Sequence, residues 1–248
     1  MYHWAMQRLD GLTSIGDDRV MVFEAGGAAM LFALGPPTPT LSSDARMRRL
    51  LGDLGDRVDA IRWCEQIHGR IVASVAAEPG WPFKQVACVG RCDALMTASR
   101  RLGLAAWSAD CVPILLVGDG VIAAVHSGWR GAAADITGAV VRQFEVEFGV
   151  PSDRLHAALG PAISGPRYEV GNEVIDSLRV IDVDEGQWLS GNHVDLRGFL
   201  RSRLEILGLD AKNVHLVGPC TASTPELASY RRDGQEAGRQ WSMIYRFA

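Results

Sequence analysis

The sequence predicts an α+β protein whose β-sheets are covered by helices. Three observations carry that expectation. Two apolar, β-prone runs, residues 113–118 and 121–126, flank Asp119-Gly120, the signature of a type I′ hairpin turn. Residues 195–207 set Leu196, Phe199, Leu200, Leu204 and Leu207 at the spacing of one helix face. The remaining strand-like and helix-like segments mix without a regular strand–helix–strand rhythm, which argues against a doubly wound parallel sheet.

In chain order, residues 19–24 and 28–33 read as a strand pair ahead of Gly35-Pro36-Pro37-Thr38-Pro39-Thr40, the one clear break in the pattern. The break is too short to separate domains, so residues 1–248 are read as a single domain. Ser42-Ser43 with Asp44 caps a helix running to about Leu54. Residues 60–66 and 70–76 read as strands around a tight connection, Ile67-His68-Gly69. Residues 131–148 and 171–179 have helical periodicity, and residues 155–159, 213–217 and 241–247 read as strands. In the hairpin, a two-residue loop pairs Gly118 with Val121 and therefore His126 with Pro113. Cys111 lies two residues beyond Pro113, on the same face and diagonal to His126, a separation of roughly 7–8 Å. A one-residue slip in register would put the two on opposite faces.

The chain has 248 residues, 48% of them hydrophobic and 22% charged, enough to bury a large core. A net charge of −4 and a pI of about 5.9 give no support for a nucleic-acid or anionic-membrane surface. No apolar run approaches the ~20 residues of a membrane span. Residues 1–8 lack the basic stretch and apolar run of a signal peptide. The cysteines are Cys64, Cys88, Cys92, Cys111 and Cys220, an odd number, which fits reduced thiols in a cytoplasmic protein. None has Cys-x-x-Cys spacing, and Cys88 and Cys92, four apart, are a weak metal signal.

Of the six histidines, His156 and His215 fall inside apolar strand runs, His193 precedes a helix and His3 lies near the N-terminus, places that suit ordinary packed or solvated side chains. His68 differs, because a glycine follows it on a turn between strands, where side chains are presented rather than buried. A His/Cys/His set suits zinc, and three protein ligands leave a fourth position open for chemistry. Against this stands a reading of Cys111 as a small buried hydrophobe and His126 as a strand-end histidine. Gly128 and Gly131 follow at once, in a turn that leads into a helix and offers N–H groups to an anion. Asp93 and Asp110 each adjoin a cysteine and read either as orienting or proton-carrying groups or as turn residues. Arg231-Arg232-Asp233-Gly234 reads as a polar loop able to hold a phosphate or carboxylate, or as a solvated face.

Together these segments resemble the bacterial YfiH-type proteins, also called the multicopper polyphenol oxidase or laccase-domain family. The resemblance rests on Gln66-Ile67-His68-Gly69, Cys92-Asp93-Ala94-Leu95-Met96-Thr97, Ala109-Asp110-Cys111-Val112-Pro113 and His126-Ser127-Gly128-Trp129-Arg130-Gly131. It continues through Leu159-Gly160-Pro161, Tyr168-Glu169-Val170-Gly171, Cys220-Thr221, Tyr230-Arg231-Arg232-Asp233-Gly234 and Gly238-Arg239, spanning roughly residues 42–246. It implies a sandwich of β-sheets flanked by helices. It also implies a metal triad of His68, Cys111 and His126, zinc rather than copper, and an arginine on the preceding helix, best matched by Arg46, that helps hold substrate or phosphate. The sequence departs from the family pattern in residues 1–40, where the usual Thr-Arg-x-Gly-Gly-Val-Ser-like loop is missing, and at Ala45 and Ala237, which stand for an asparagine and a threonine.

The activity the resemblance implies is zinc-dependent phosphorolysis of adenosine, inosine and methylthioadenosine, with deamination of adenosine beside it. Its small-molecule partners are then a purine nucleoside and phosphate. Three alternatives use the same residues. Cys111 can act as a thiolate nucleophile activated by His126, as in cysteine hydrolases or amidases. The site can serve in editing peptidoglycan precursors. Copper-dependent phenol oxidation fits least, because the chain has no His-x-His pair to hold a copper cluster.

Overall fold

The computed structural model describes residues 14–15, 18–35, 42–77 and 85–247. Apolar runs punctuated by turn residues form fifteen strands among these residues. They are β1 (Ser14–Ile15), β2 (Asp18–Ala25), β3 (Ala28–Ala33), β4 (Ala60–Glu65), β5 (Val72–Ser74), β6 (Gln85–Arg91), β7 (Ala94–Thr97) and β8 (Leu102–Ser108). There follow β9 (Val112–Gly118), β10 (Val121–Ser127), β11 (His156–Leu159), β12 (Leu189–Ser190), β13 (His193–Val194), β14 (Val214–Leu216) and β15 (Gln240–Arg246). The helices are α1 (Ser43–Asp53), α2 (Trp129–Ala133), α3 (Ile136–Phe148), α4 (Asn172–Arg179), α5 (Leu196–Ile206) and α6 (Tyr230–Asp233).

Two mixed sheets form the body, with strand orders β1-β2-β3-β15-β8-β4-β6 and β14-β11-β9-β10-β7-β5. Period-two alternation explains how they stack. Leu115 and Val117 of β9 face inward and pack with Met30, Phe32, Leu104 and Ile244 of the first sheet. Ile114 and Leu116 point the other way and pack with Phe144 of α3 and Phe199 of α5. The far face of the first sheet, with Leu31, Trp107 and Tyr245, is covered by Met47, Leu50 and Leu51 of α1. The molecule is thus the expected sandwich of sheets flanked by helices.

The predicted hairpin is present in the predicted register, Gly118 opposite Val121 and His126 opposite Pro113. Asp119 and Gly120 both have positive φ, 41° and 84°, as a type I′ turn requires. Helix α1 begins where expected, with the Ser42 side chain accepting from Ala45 N. Three expectations need correction. Residues 131–148 form two helices rather than one, because Asp135 adopts φ 61° between α2 and α3. The strand expected over 70–76 is only β5, and it pairs in the second sheet while β4 pairs in the first. The connection holding His68 therefore crosses between sheets. Strands β6, β7 and β8 carry no strong turn or periodicity signal and were not anticipated. His3, residues 36–40 and Thr13 lie outside the described residues. No helix among the described residues is long and apolar enough to cross a membrane.

The break at Asp135 is held by one carboxylate with two tasks. It caps α3 by accepting from Gly138 N at 3.2 Å, and it pairs with Arg203 of α5 at 2.7 Å. Burial pushes the Asp135 carboxyl up, and Arg203 outweighs burial to leave it below the usual range. A depressed folded pKa gives stability that is present above the unfolded value near ~3.9 and withdrawn as pH falls below it. Asp135→Ala is expected to cost about 1–3 kcal/mol at neutral pH and to flatten the acid limb of the stability profile, measured by urea unfolding at several pH values.

Candidate metal centre

Two loops and one strand end bring the three predicted donors together. After β4, Gln66 pins its loop to β8 with a reciprocal amide pair. Its Nε2 donates to Trp107 O and its Oε1 accepts from Trp107 N, each at 2.7 Å. Two residues on, His68 takes a left-handed backbone, φ 58°. That conformation costs energy for a non-glycine residue and is stabilised from outside. The stabilising group is Asp93, which accepts from His68 N at 2.9 Å and Gly69 N at 2.7 Å. The same carboxylate lies 3.0 Å from Nδ1 of His126, the penultimate residue of β10. Nδ1 of His126 thus donates to Asp93, and Nε2 is the nitrogen left for a metal, as in a carboxylate-oriented ligand. Asp93 is 1% exposed and His126 3%. Cys111 sits just before β9, with Asp110 at φ 80° turning the chain into the strand.

The donor atoms of His68, Cys111 and His126 all lie within 4.8 Å of one another, and Cys111 Sγ is 4.0 Å from His68 Nε2. The imidazole rings stand edge to face, centroids 4.8 Å apart. Bond lengths of ~2.0–2.3 Å place tetrahedral zinc donors roughly 3.3–3.8 Å apart, so drawing in by about an ångström closes the set. Burial raises the Cys111 thiol, and the imidazoles of His126 and His68 outweigh it to hold the thiol at about 6. Burial lowers His126, and Asp93 with Cys111 outweighs that to hold it at about 9. Burial also raises Asp93, and His126 with the two main-chain N–H groups outweighs it to leave the carboxyl below the usual range. A soft thiolate and two imidazoles, one of them oriented by Asp93, are a donor set that fits zinc or copper(I).

Gly128 makes room for this cluster. A Cβ there would sit 2.9 Å from Cys111 Sγ and 3.1 Å from His68 Cδ2. Its φ of −84° suits any residue, so the constraint is steric. Gly128→Ala is expected to weaken metal retention roughly 10–100-fold, the range seen when support of a ligand is disturbed, with little change in melting of the metal-free protein. Competition with a colorimetric chelator measures it.

The donors open into a cavity of about 640 Å³, inside the roughly 300–1,000 Å³ typical of small-molecule sites. Trp63, Trp107, Trp129, Tyr168 and Tyr230 give it aromatic walls, and Arg130, Arg231 and Arg239 give it positive charge. Arg46 stands behind this wall. Its guanidinium lies 5.3 Å over the Trp107 ring and donates to the Arg239 carbonyl. Asp110 braces rather than orients a histidine: it accepts from Thr221 Oγ1 at 2.5 Å and Arg231 N at 2.6 Å. Arg232 faces its own loop, donating to the carbonyls of Thr221, Thr224 and Leu227. The aromatic walls were not anticipated. Their signal was present in Trp63 and Trp107, each on a strand that ends at the site.

A family model described as multi-copper polyphenol oxidoreductase laccase matches residues 42–246. A protein of Deinococcus radiodurans named purine nucleoside phosphorylase is 35% identical over 214 residues, 84% of this chain and 78% of that protein. A protein from an unknown prokaryotic organism named adenosine deaminase RL5 is 34% identical over 172 residues, 66% of this chain and 65% of its own length. Among solved structures, the hypothetical protein YfiH of Bacillus licheniformis superimposes with a TM-score of 0.78 at 20% identity, covering 94% of this chain and 97% of that one. The motifs, the matched span and the shared architecture agree: this chain belongs to the YfiH-type, laccase-domain family.

Proposed function

We propose that this protein is a zinc-dependent purine nucleoside phosphorylase acting on adenosine, inosine and methylthioadenosine, with adenosine deamination as a second activity of the same site. The observation that carries this reading is the convergence of His68, Cys111 and His126 on a cavity of nucleoside size with aromatic walls. The names of the similar Deinococcus and RL5 proteins support it. A divalent ion held by the three side chains supplies Lewis acidity beside the substrate.

The chain's own residues supply the rest. Asp93 orients the His126 imidazole through Nδ1 and fixes the backbone of the His68 loop, so the segments that carry both donors are set before substrate arrives. The purine is held among the aromatic side chains of the wall, where the buried Trp107 carries the Arg46 guanidinium 5.3 Å over its ring. Arg46 thereby acts on substrate through Trp107 and the Arg239 main chain.

A second reading is favoured by the metal-free electrostatics. A Cys111 thiol near 6 beside a His126 imidazole near 9 is a thiolate–imidazolium pair, the arrangement of a cysteine nucleophile in a hydrolase or amidase. Peptidoglycan-precursor editing would draw on the same pair.

The test is purification without added metal, elemental analysis, and assay with adenosine in the presence and absence of phosphate. Stoichiometric zinc with phosphate-dependent release of adenine is expected. Inosine and ammonia would report deamination. A metal-free protein that stays active after chelation would overturn the metal-dependent reading in favour of the nucleophile.

A further inference from the structure

Among the arginines around the cavity, most have their guanidinium groups committed. Arg46 donates to the Arg239 carbonyl and Arg232 holds three loop carbonyls and Asp233, while Arg239 spends Nη1 on the carbonyls of Ala237 and Gly238 in its own loop and sits over no ring among the described residues. Two are different. Arg130 lies over the Trp129 ring at 4.2 Å, and its N–H groups have no acceptor among the described residues. Arg231 lies over the Tyr168 ring at 5.2 Å and spends one N–H group on the Glu169 carbonyl at 2.9 Å. A ring accepts no conventional N–H hydrogen bond from a guanidinium lying over it, so the N–H groups not otherwise spent remain to match the oxygens of an oxyanion.

The carboxylates lining the same cavity leave both cations unpaired. Asp110 spends its two oxygens on Thr221 Oγ1 and the Arg231 main-chain N–H. Glu65 is two-thirds exposed and lies 3.9 Å from Arg91. Asp110 also links the Cys111 turn to the Arg231 main chain, so the backbone that carries one guanidinium is tied to the turn that carries a metal donor. Arg130 is two residues from Gly128 and four from His126.

We propose that Arg130 and Arg231 form an oxyanion subsite in this cavity that takes inorganic phosphate as co-substrate. The proposal rests on the phosphorylase reading for its consequence and on the two free guanidinium edges for its site. In the reaction it would serve, a phosphate oxygen bonds to C1′ of the ribose as the C1′–N bond breaks. The bonding pair goes to the purine nitrogen, which takes up the proton carried by the phosphate, so atoms and charge balance. The subsite fixes the attacking oxygen and spreads the phosphate charge over two cations.

The test is calorimetric titration of the zinc-loaded protein with inorganic phosphate and, separately, with adenosine 5′-monophosphate. It uses wild type, Arg130→Gln, Arg231→Gln, the charge-retaining Arg130→Lys, and Arg48→Gln as an exposed control of equal charge change. Phosphate affinity is expected to fall roughly 10–100-fold in each glutamine variant, less in Arg130→Lys, and not in Arg48→Gln, with zinc content and melting unchanged in all. Equal phosphate affinity across the series overturns the subsite, as does binding of the nucleotide with none of inorganic phosphate. Steady-state assay separates this from the wider reading. Loss of phosphate binding in the variants without any nucleoside cleavage by wild type leaves the subsite standing and removes the phosphorylase. Phosphorolysis with an unaltered KM for phosphate in both glutamine variants does the reverse.

Discussion

Cys111→Ala is expected to lose stoichiometric zinc and to lower kcat/KM for adenosine by roughly 10³-fold or more, about 4 kcal/mol of barrier. The thiolate is the only sulfur donor in the set and stands 4.0 Å from His68 Nε2. Without it two imidazoles remain, one on an exposed loop, too few to hold an ion firmly. The fold itself should tolerate the change. Cys111 precedes β9, and the hairpin register is set by the Asp119-Gly120 turn at the other end. Metal-free Cys111→Ala should therefore melt within a few degrees of metal-free wild type, the difference being the lost thiolate–imidazole attraction, while zinc at about a thousand times its Kd should raise wild type alone by roughly 10 °C. A variant that keeps its zinc shift would remove Cys111 from the ligand set. Activity alone does not decide the matter, since a nucleophilic cysteine would also be silenced by alanine; the zinc-dependent melting shift does.

The second large effect is expected at Asp93, which touches no substrate. Its carboxylate is buried and accepts from three donors: His126 Nδ1 and the main-chain N–H groups of His68 and Gly69. Asp93→Asn keeps the shape and replaces one acceptor oxygen with an NH₂ donor. That group must then face either an imidazole N–H or a backbone N–H, and a buried donor facing a donor costs about 1–3 kcal/mol. Facing His126, it favours the tautomer with the proton on Nε2, the atom that should bind metal. A fall in zinc affinity of roughly 10–100-fold is expected, with kcat/KM falling in step at limiting zinc and recovering in part at saturating zinc. Recovery separates a positioning role from a proton-transfer role, in which excess zinc would restore nothing.

How much of this was legible in the sequence depended on how local the decision was. The hairpin register was legible because a two-residue Asp-Gly turn leaves one pairing, and that pairing put His126 and Cys111 on a common face. Helix α1 was legible from Ser42 and Asp44. The break at Asp135 was not, because Arg203 stabilises it from a distant helix. Strand β8 was hidden by its small residues. Gly103 packs closely there, since a Cβ would meet Met243 Sδ at 3.0 Å, yet glycine and alanine read poorly as strand. Asp93 and Asp110 looked alike in sequence, each beside a cysteine. Only the crossing of the His68 loop between sheets gives Asp93 the histidines and leaves Asp110 to Thr221 and Arg231. Arg46 was located on its helix by spacing, but its place behind Trp107 depends on how α1 lies on the first sheet.

The most direct measurement is X-ray absorption spectroscopy at the zinc edge of the zinc-loaded protein. The expected spectrum has a single sulfur scatterer at ~2.3 Å with nitrogen scatterers at ~2.0–2.1 Å carrying the outer-shell signature of two imidazoles, and the sulfur is lost in Cys111→Ala. A shell of oxygen and nitrogen alone in wild type, or a sulfur signal that survives in Cys111→Ala, would contradict a metal centre built from His68, Cys111 and His126.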